Sequence, residues 1–313
     1  MLLLLFALWM ELNNREHLCD LWQAFLRQVQ QANLLWLVAT LGLMPLNWLA
    51  ETQKWHQVVR KYEPLSRGRA LMAVWIGVSF SLFTPNRIGE YGGRIVLVQP
   101  RHRWKATLAT LVGNYSQLLV LLSVGLPAAY FFFDRYEFAQ ALWFRPLAWA
   151  ILAALALLHL VYFKLRLVLP LIRRLPEAFG RRFLLNETSV LQHFTTGQLS
   201  NLLGWSALRY GIYATQYFLL LQFFGITPGI VVAYAGIATI FLIQTSLPLP
   251  PLTGLVARGN LAVWIWLPCG ANELSSLAVT FLLWIINLIL PALIGTFSLF
   301  FVQTTKTIEY DNA

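Results

Sequence analysis

Five predominantly apolar stretches, residues 33–50, 106–133, 146–163, 198–224 and 276–302, constrain this chain more than any motif does. Each approaches or exceeds the roughly 20 residues that a helix needs to cross the hydrocarbon core of a bilayer. A lipid-exposed segment must satisfy its own backbone N–H and C=O groups, so runs of this length fold as helices. Composition agrees: only 12% of residues are charged and 58% are hydrophobic, where a soluble domain carries about 25% charged residues. The chain is predicted to be an all-α polytopic membrane protein. A net charge of +10 would point to nucleic acid if it formed one solvated patch. Here the cations are scattered over short loops, the pattern of cytoplasmic loops, and no nucleic-acid partner is expected.

The loop charges orient the spans. Residues 51–69 carry Lys54, Arg60, Lys61, Arg67 and Arg69; residues 99–105 add Arg101, Arg103 and Lys105; residues 164–193 add Lys164, Arg166, Arg173, Arg174, Arg181 and Arg182. By the charge bias all three belong in the cytoplasm. Segments 134–145, 225–228 and 268–275 are short and nearly balanced, and are assigned outside. Two apolar stretches remain, 70–98 and 229–267, each interrupted in its middle. A single crossing by 70–98 would put its two basic flanks in opposite compartments. If both stretches enter, break and return to the side they came from, no basic loop falls on the wrong side. The expected architecture is about five full spans plus two re-entrant broken helices.

This map contains a repeat. Span 33–50, broken element 70–98 and span 106–133 recur with opposite orientation as 198–224, 229–267 and 276–302, within halves of about 33–163 and 198–302. The offset from Asn33 to Gln198 equals that from Pro85 to Pro250, 165 residues. A glycine lies four residues past each proline (Gly89, Gly254) and an arginine follows (Arg94, Arg258). Inverted repeats with broken helices are an architecture of alternating-access transport. Residues 32–302 are expected to form one domain. Before it, 16–31 places Leu18, Leu21, Trp22, Phe25, Leu26 and Val29 on one helical face, the mark of an interfacial amphipathic helix. Residues 1–9 read as the end of a spanning helix whose beginning is absent, or as a short anchor. Residues 303–313 read as a short cytoplasmic tail, and the proline-broken basic stretch 163–185 as a segment lying on an anionic leaflet.

The first break, TPNRIGEYGGR at residues 84–94, holds Arg87, Glu90 and Arg94 among Pro85, Gly89, Gly92 and Gly93. The second, SLPLPPLTG, holds Pro250, Pro251 and Gly254, with Arg258 just beyond. Irregular backbone at membrane depth is tolerated inside protein or beside a water-filled cavity. Two guanidinium forks match the oxygens of a phosphate, and Glu90 could pair with them or receive an amine. The glycines allow close backbone approach. The same charges would also serve as an internal ion-pair cluster sealing the break, or snorkel to the surface. Arg209 lies about 18 Å along its span, inside the membrane unless the helix starts later. Asn114, Gln117, Tyr210 and Gln216 are weaker signals of the same kind. His159 and His193 have no partners at metal-ligand spacing, and Cys19 and Cys269 read as inert thiols. No phosphate loop, nucleophile elbow or zinc motif is present, so neither metal nor other cofactor is expected, and ATP-driven transport would need a partner chain.

On NWLAETQKWHQVV, FTPNRIGEYGGR and SLPLPPLTGLVARGN, residues 47–59, 83–94 and 246–260, the chain resembles the lysylphosphatidylglycerol synthase transmembrane (flippase) domain family over roughly 33–302. Pro85, Arg87, Gly89 and Glu90 fall on the family's Pro-Gly-Arg-Leu-Gly-Glu type motif, with Asn86 in place of its glycine. Gly254, Leu255 and Arg258 match the second motif, Gly-Leu-Gly-Val-Arg-Glu. Val256 replaces a glycine there, and Gly259 stands where the family has glutamate. The resemblance implies a helical domain of a bacterial cytoplasmic membrane that moves an aminoacylated or other phosphate-bearing lipid between leaflets. A synthase domain has no room here, so any lipid-modifying enzyme would be a separate partner. The absent carboxylate at Gly259 weakens the aminoacyl part. The leading expectation is a lipid transporter, not an enzyme, with a phospholipid or glycolipid headgroup on Arg87, Glu90, Arg94, Arg258 and Arg209. A lipid-linked glycosyl- or aminoacyl-transferase centred on Glu90 and a non-catalytic envelope scaffold are the alternatives. The sequence sets no oligomeric state.

Overall fold

The computed structural model describes residues 18–135, 144–164, 191, 194–246 and 254–311. The expectations for residues 1–17, for most of the basic stretch 163–185, for His193, and for Pro250 and Pro251 at the second break lie outside those residues.

All regular structure among the described residues is helical. The helices are α1 (Leu18–Gln31), α2 (Leu34–Val59), α3 (Arg67–Ser81), α4 (Gly89–Arg94), α5 (Arg103–Arg135), α6 (Phe144–Phe163), α7 (Thr196–Phe223), α8 (Ile230–Ser246), α9 (Gly254–Trp266), α10 (Glu273–Trp284) and α11 (Leu290–Asp311). Their starts are written locally. Asn33 and Asn272 accept from the amides of Leu35 and Leu274 at 2.9 and 2.8 Å, and Thr195 with Gln198 forms a capping box on α7; each satisfies amides that a helix start leaves unpaired. A π-helical turn, Ile285–Ile289, joins α10 to α11. It ends just before Pro291, which has no N–H to continue the α-helical ladder.

Leu34–Val59, Pro100–Phe133 and Glu273–Phe300 are long and apolar enough to cross a membrane. Ala148–Phe163 and Ile230–Ser246 are apolar but shorter, and α7 has the length for a span with more polar residues along it. This is an all-α, multi-pass membrane protein. Two boundaries differ from the sequence reading. Helix α2 continues past residue 50 to Val59, so Lys54 lies inside a helix and not among the loop cations. Helix α11 continues through the expected tail to Asp311.

The helices that flank each interruption pack on one another. In the first, the position of a Cβ on Gly89 would lie 2.2 Å from the Phe80 carbonyl oxygen and one on Gly93 would lie 2.6 Å from the Gly77 Cα, so α4 runs antiparallel to α3 with backbones touching. In the second, Gly236 on α8 faces the Trp266 ring on α9. Packing pairs the elements reciprocally: α2 lies along α7, α3 along α11, and α8 along α5. Two cores result. One gathers Trp48, Trp55, Val74, Ile76 and Leu119, the other Tyr217, Ile240, Phe241, Ile265 and Trp266. Helix α1 docks beside the second through stacking of Phe25 on Phe224 and a hydrogen bond from Asn272 to the Leu21 carbonyl.

Candidate functional site

The first break is held open by its own chemistry. Pro85 starts a 3-10 turn over Pro85–Arg87, and the Thr84 hydroxyl accepts from the Gly89 amide at 2.8 Å, capping the return helix. Arg87 sits between these features with φ of 58°. That left-handed conformation costs a non-glycine residue roughly 1–2 kcal/mol and is typical of functional turns. Gly89 and Gly93 are required by close approach, whereas Gly92 meets nothing within 4 Å.

Behind the break lies a cluster of charges drawn from four helices or turns. Glu51 and Lys54 come from α2, Glu90 and Arg94 from α4, Arg87 from the break, and Arg209 from α7. Glu51 lies 2.7 Å from Lys54, 2.7 Å from Arg94 and 3.0 Å from Arg209. Arg94 also donates to Glu90, so it bridges the two carboxylates. Glu51, Lys54 and Arg94 are each 1% exposed. Aromatic walls complete the enclosure: the Arg94 guanidinium lies 5.9 Å from the Trp55 ring and that of Arg209 lies 5.3 Å from Trp48. Arg209 donates from Nε to Asn47 at 3.2 Å, and Asn47 donates to Asn287, on the π-turn, at 2.8 Å. The network thus ties α2, α4, α7 and the α10–α11 junction together.

Its charges do not balance. Two carboxylates, Glu51 and Glu90, face four cations, Lys54, Arg87, Arg94 and Arg209. Arg87 has two buried nitrogens without a hydrogen-bond acceptor, against one each on Arg94 and Lys54. The two are Nε, which lies 3.5 Å from Glu90, and Nη2, although the Arg87 side chain as a whole is 38% exposed. Arg258, on α9, lies within electrostatic range of Arg87 and of Tyr213. This corner of the cluster therefore carries an excess of positive charge, with donors on Arg87 left unmet.

The sequence-derived residues divide accordingly. Arg87, Glu90, Arg94 and Arg209 come together in one network. Glu90 lies between the two arginines of the break. Arg94 is enclosed and donates through Nη2 to both carboxylates, with its Nε buried without an acceptor, so its guanidinium holds the break, whereas Arg87 has two such nitrogens and reaches the surface. Arg209 turns inward to Glu51. Arg258 is outside the hydrogen-bonded network and within electrostatic range of Arg87. Of the weaker signals, Asn114 donates to the Tyr91 hydroxyl of α4 at 3.0 Å and Gln216 to the Thr40 carbonyl at 2.9 Å. Gln117 reaches the Ser206 carbonyl at 3.4 Å, and the Tyr210 hydroxyl is buried without a partner. His159 bonds its own helix at Leu155. Gly254 is buried at the start of α9.

Glu51, Lys54, Asn47 and Asn287 were not singled out from sequence. Asn47, Glu51, Lys54 and Val58 recur at spacings of four, three and four, one face of a helix. That periodicity, flanked by Trp48 and Trp55, was the available sign that residues 51–59 continue the helix and carry buried charge.

The profile of the lysylphosphatidylglycerol synthase TM region matches residues 3–295. The chain belongs to this family. Membership makes it a lipid-related membrane protein and agrees with the resemblance carried by the two break motifs. No curated protein and no solved structure matches the chain. At Gly259, a Cβ would meet Leu277 Cδ2, the end of a flexible side chain, at 2.6 Å.

Proposed function

We propose that this protein moves a phosphate-bearing lipid between the leaflets of a bacterial cytoplasmic membrane, with the phosphate seated against Arg87. The observation that carries the reading is the pair of buried, acceptor-free nitrogens on Arg87, inside a cluster with more cations than carboxylates. Arg258 and the outer face of Arg209 supply further positive potential around it. A phosphate monoanion or dianion would neutralise the excess and offer the oxygens that a guanidinium fork matches. Both carboxylates of the cluster are engaged by cations, which favours transport over a transferase that needs a free acid or base.

The reciprocal packing of α2 on α7, α3 on α11 and α8 on α5 supports the inverted-repeat reading, since each contact exchanges equivalent elements of the two halves. The two folded-back hairpins support re-entrant elements, with the basic loops and C-terminus cytoplasmic. Transport then consists of one half rocking against the other across the Glu51–Arg209 and Asn47–Asn287 contacts. A separate enzyme would supply any modified lipid.

A scaffold role is the second reading, favoured by the complete enclosure of Arg94 and Glu51. Reconstitution decides between them. Purified protein in vesicles carrying fluorescent phosphatidylglycerol should expose that lipid to an impermeant quencher faster than protein-free vesicles do, and faster than it exposes a neutral diacylglycerol. Arg87→Gly should abolish the difference. Equal rates for wild type and Arg87→Gly would leave the cluster as a structural seal.

A further inference from the structure

A second feature begins where the charged break ends. Helices α3 and α11 run antiparallel, with Ser79 donating to the Ala292 carbonyl at 2.6 Å and Gly295 set directly against the Trp75 carbonyl. This backbone-to-backbone seam floors a cavity of about 470 Å³, walled by Ile76, Phe80 and Phe83 on one side and by Leu293 and Leu299 on the other. From Ile76 to Thr84 the groove extends about 12 Å at helical rise. Its three hydroxyls are already spent: those of Ser79 and Thr296 donate to the Ala292 carbonyl and that of Thr84 to the Phe80 carbonyl. An occupant finds apolar surface and no free donor along the walls.

The ends of the groove differ. At one end Thr84, part of the lining, accepts through its carbonyl from the Arg87 amide at 3.3 Å. The apolar walls therefore run up to the residue that carries the unsatisfied guanidinium. Phe83, at that junction, is 79% exposed, and Ile88 across the break is exposed as well. A cation at the head of an apolar trough is complementary to an anionic amphiphile, and to neither a free phosphate nor a hydrocarbon alone.

We infer that the groove between α3 and α11 holds one acyl chain of the lipid whose phosphate sits at Arg87, so that head and tail are bound by one continuous site. The inference rests on the phosphate reading of Arg87 and adds to it that the substrate is recognised as a lipid, by its chain as well as by its head. The chain lies on the outer side of the α3–α4 hairpin while the headgroup occupies the break.

Photo-labelling in vesicles tests it. Two probes carry the same diazirine in mid-chain, one on phosphatidylglycerol and one on diacylglycerol. The phosphatidylglycerol probe should label residues 76–84 and 289–299, and Arg87→Gly, chosen because glycine accepts the backbone conformation, should cut that labelling about tenfold, the worth of one charge-assisted hydrogen bond. Labelling by the diacylglycerol probe should be weaker and indifferent to the substitution. Leu293→Trp, which fills the groove outside the ion cluster, should block labelling and slow movement of the long-chain lipid. Equal labelling by both probes, or labelling by phosphatidylglycerol that survives Arg87→Gly, overturns the inference and makes the groove an ordinary lipid-facing crevice. Should Arg87→Gly abolish lipid movement while groove labelling persists, the headgroup reading stands without the groove. Should neither change, both readings fall.

Discussion

Arg209 of α7 lies 3.0 Å from Glu51 of α2, and this contact is an ion pair between helices far apart in the sequence. Glu51 simultaneously neutralises Lys54 and Arg94. One carboxylate therefore serves three cations, and the two ends of its contacts are unequal: Glu51 is 1% exposed and Arg209 18%.

That inequality predicts an asymmetric mutational response. Glu51→Gln leaves Lys54 and Arg94 buried without their shared counter-charge, a change that costs about 3–5 kcal/mol in buried networks. Arg209→Gln removes one of the excess cations from a partly solvated position and should cost about 1 kcal/mol or less. Thermal unfolding in detergent should show a large drop for Glu51→Gln and a small one for Arg209→Gln. Equal melting temperatures would mean the cluster is not what holds α2, α4 and α7 together.

Arg87 separates backbone strain from side-chain chemistry. With φ at 58°, Arg87→Gly removes the left-handed penalty and Arg87→Ala keeps it, so the glycine variant should be the more stable by about 1 kcal/mol. Both lack the guanidinium and should lose lipid movement alike. If the alanine variant were the more stable, the turn would not be strained.

Glycine substitutions along the hairpin should sort by what a Cβ would meet. Gly89→Ala and Gly93→Ala drive a methyl into the backbone of α3 at 2.2 and 2.6 Å and should part α4 from α3, at a cost of about 1–3 kcal/mol or more. Gly92→Ala faces open space and should leave stability unchanged or raise it slightly, since alanine is the better helix former. Protease accessibility of the 84–94 turn would read the difference. A destabilised Gly92→Ala would contradict the packing.

The elements that sequence exposed were those governed by local rules. Spans such as α5 and α7 follow from apolar length, and the break at TPNR follows from Pro85 and its glycines. Arg87, Glu90, Arg94 and Arg209 stood out because charge inside an apolar run is conspicuous. Glu51 and Lys54 were hidden for the opposite reason: they follow the apolar run at its polar end, where charge looks ordinary. Only the approach of α4 and α7, set by contacts 43 residues away for Arg94 and 162 for Asn47 with Arg209, turns that end inward. The α3–α11 groove was equally illegible, because it needs Trp75 and Gly295 to meet from opposite ends of the chain.

The crowded position at Gly259 bears on which lipid the site accepts. The motif that the chain resembles has glutamate there, and here a Cβ would touch only Leu277 Cδ2, the end of a flexible side chain. Gly259→Ala should therefore be tolerated after a small shift of Leu277. Gly259→Glu would push a carboxylate into the packing between α9 and α10, where an uncompensated charge costs about 3 kcal/mol or more. Melting temperatures of the two variants, with and without Leu277→Ala, measure the space and the charge separately. A strong loss in Gly259→Glu that Leu277→Ala does not repair means this chain has given up the second carboxylate along with the room for it, and favours a lipid without a cationic headgroup. If Gly259→Glu is as stable as Gly259→Ala, a counter-charge lies within reach and the family's second carboxylate position survives in this protein.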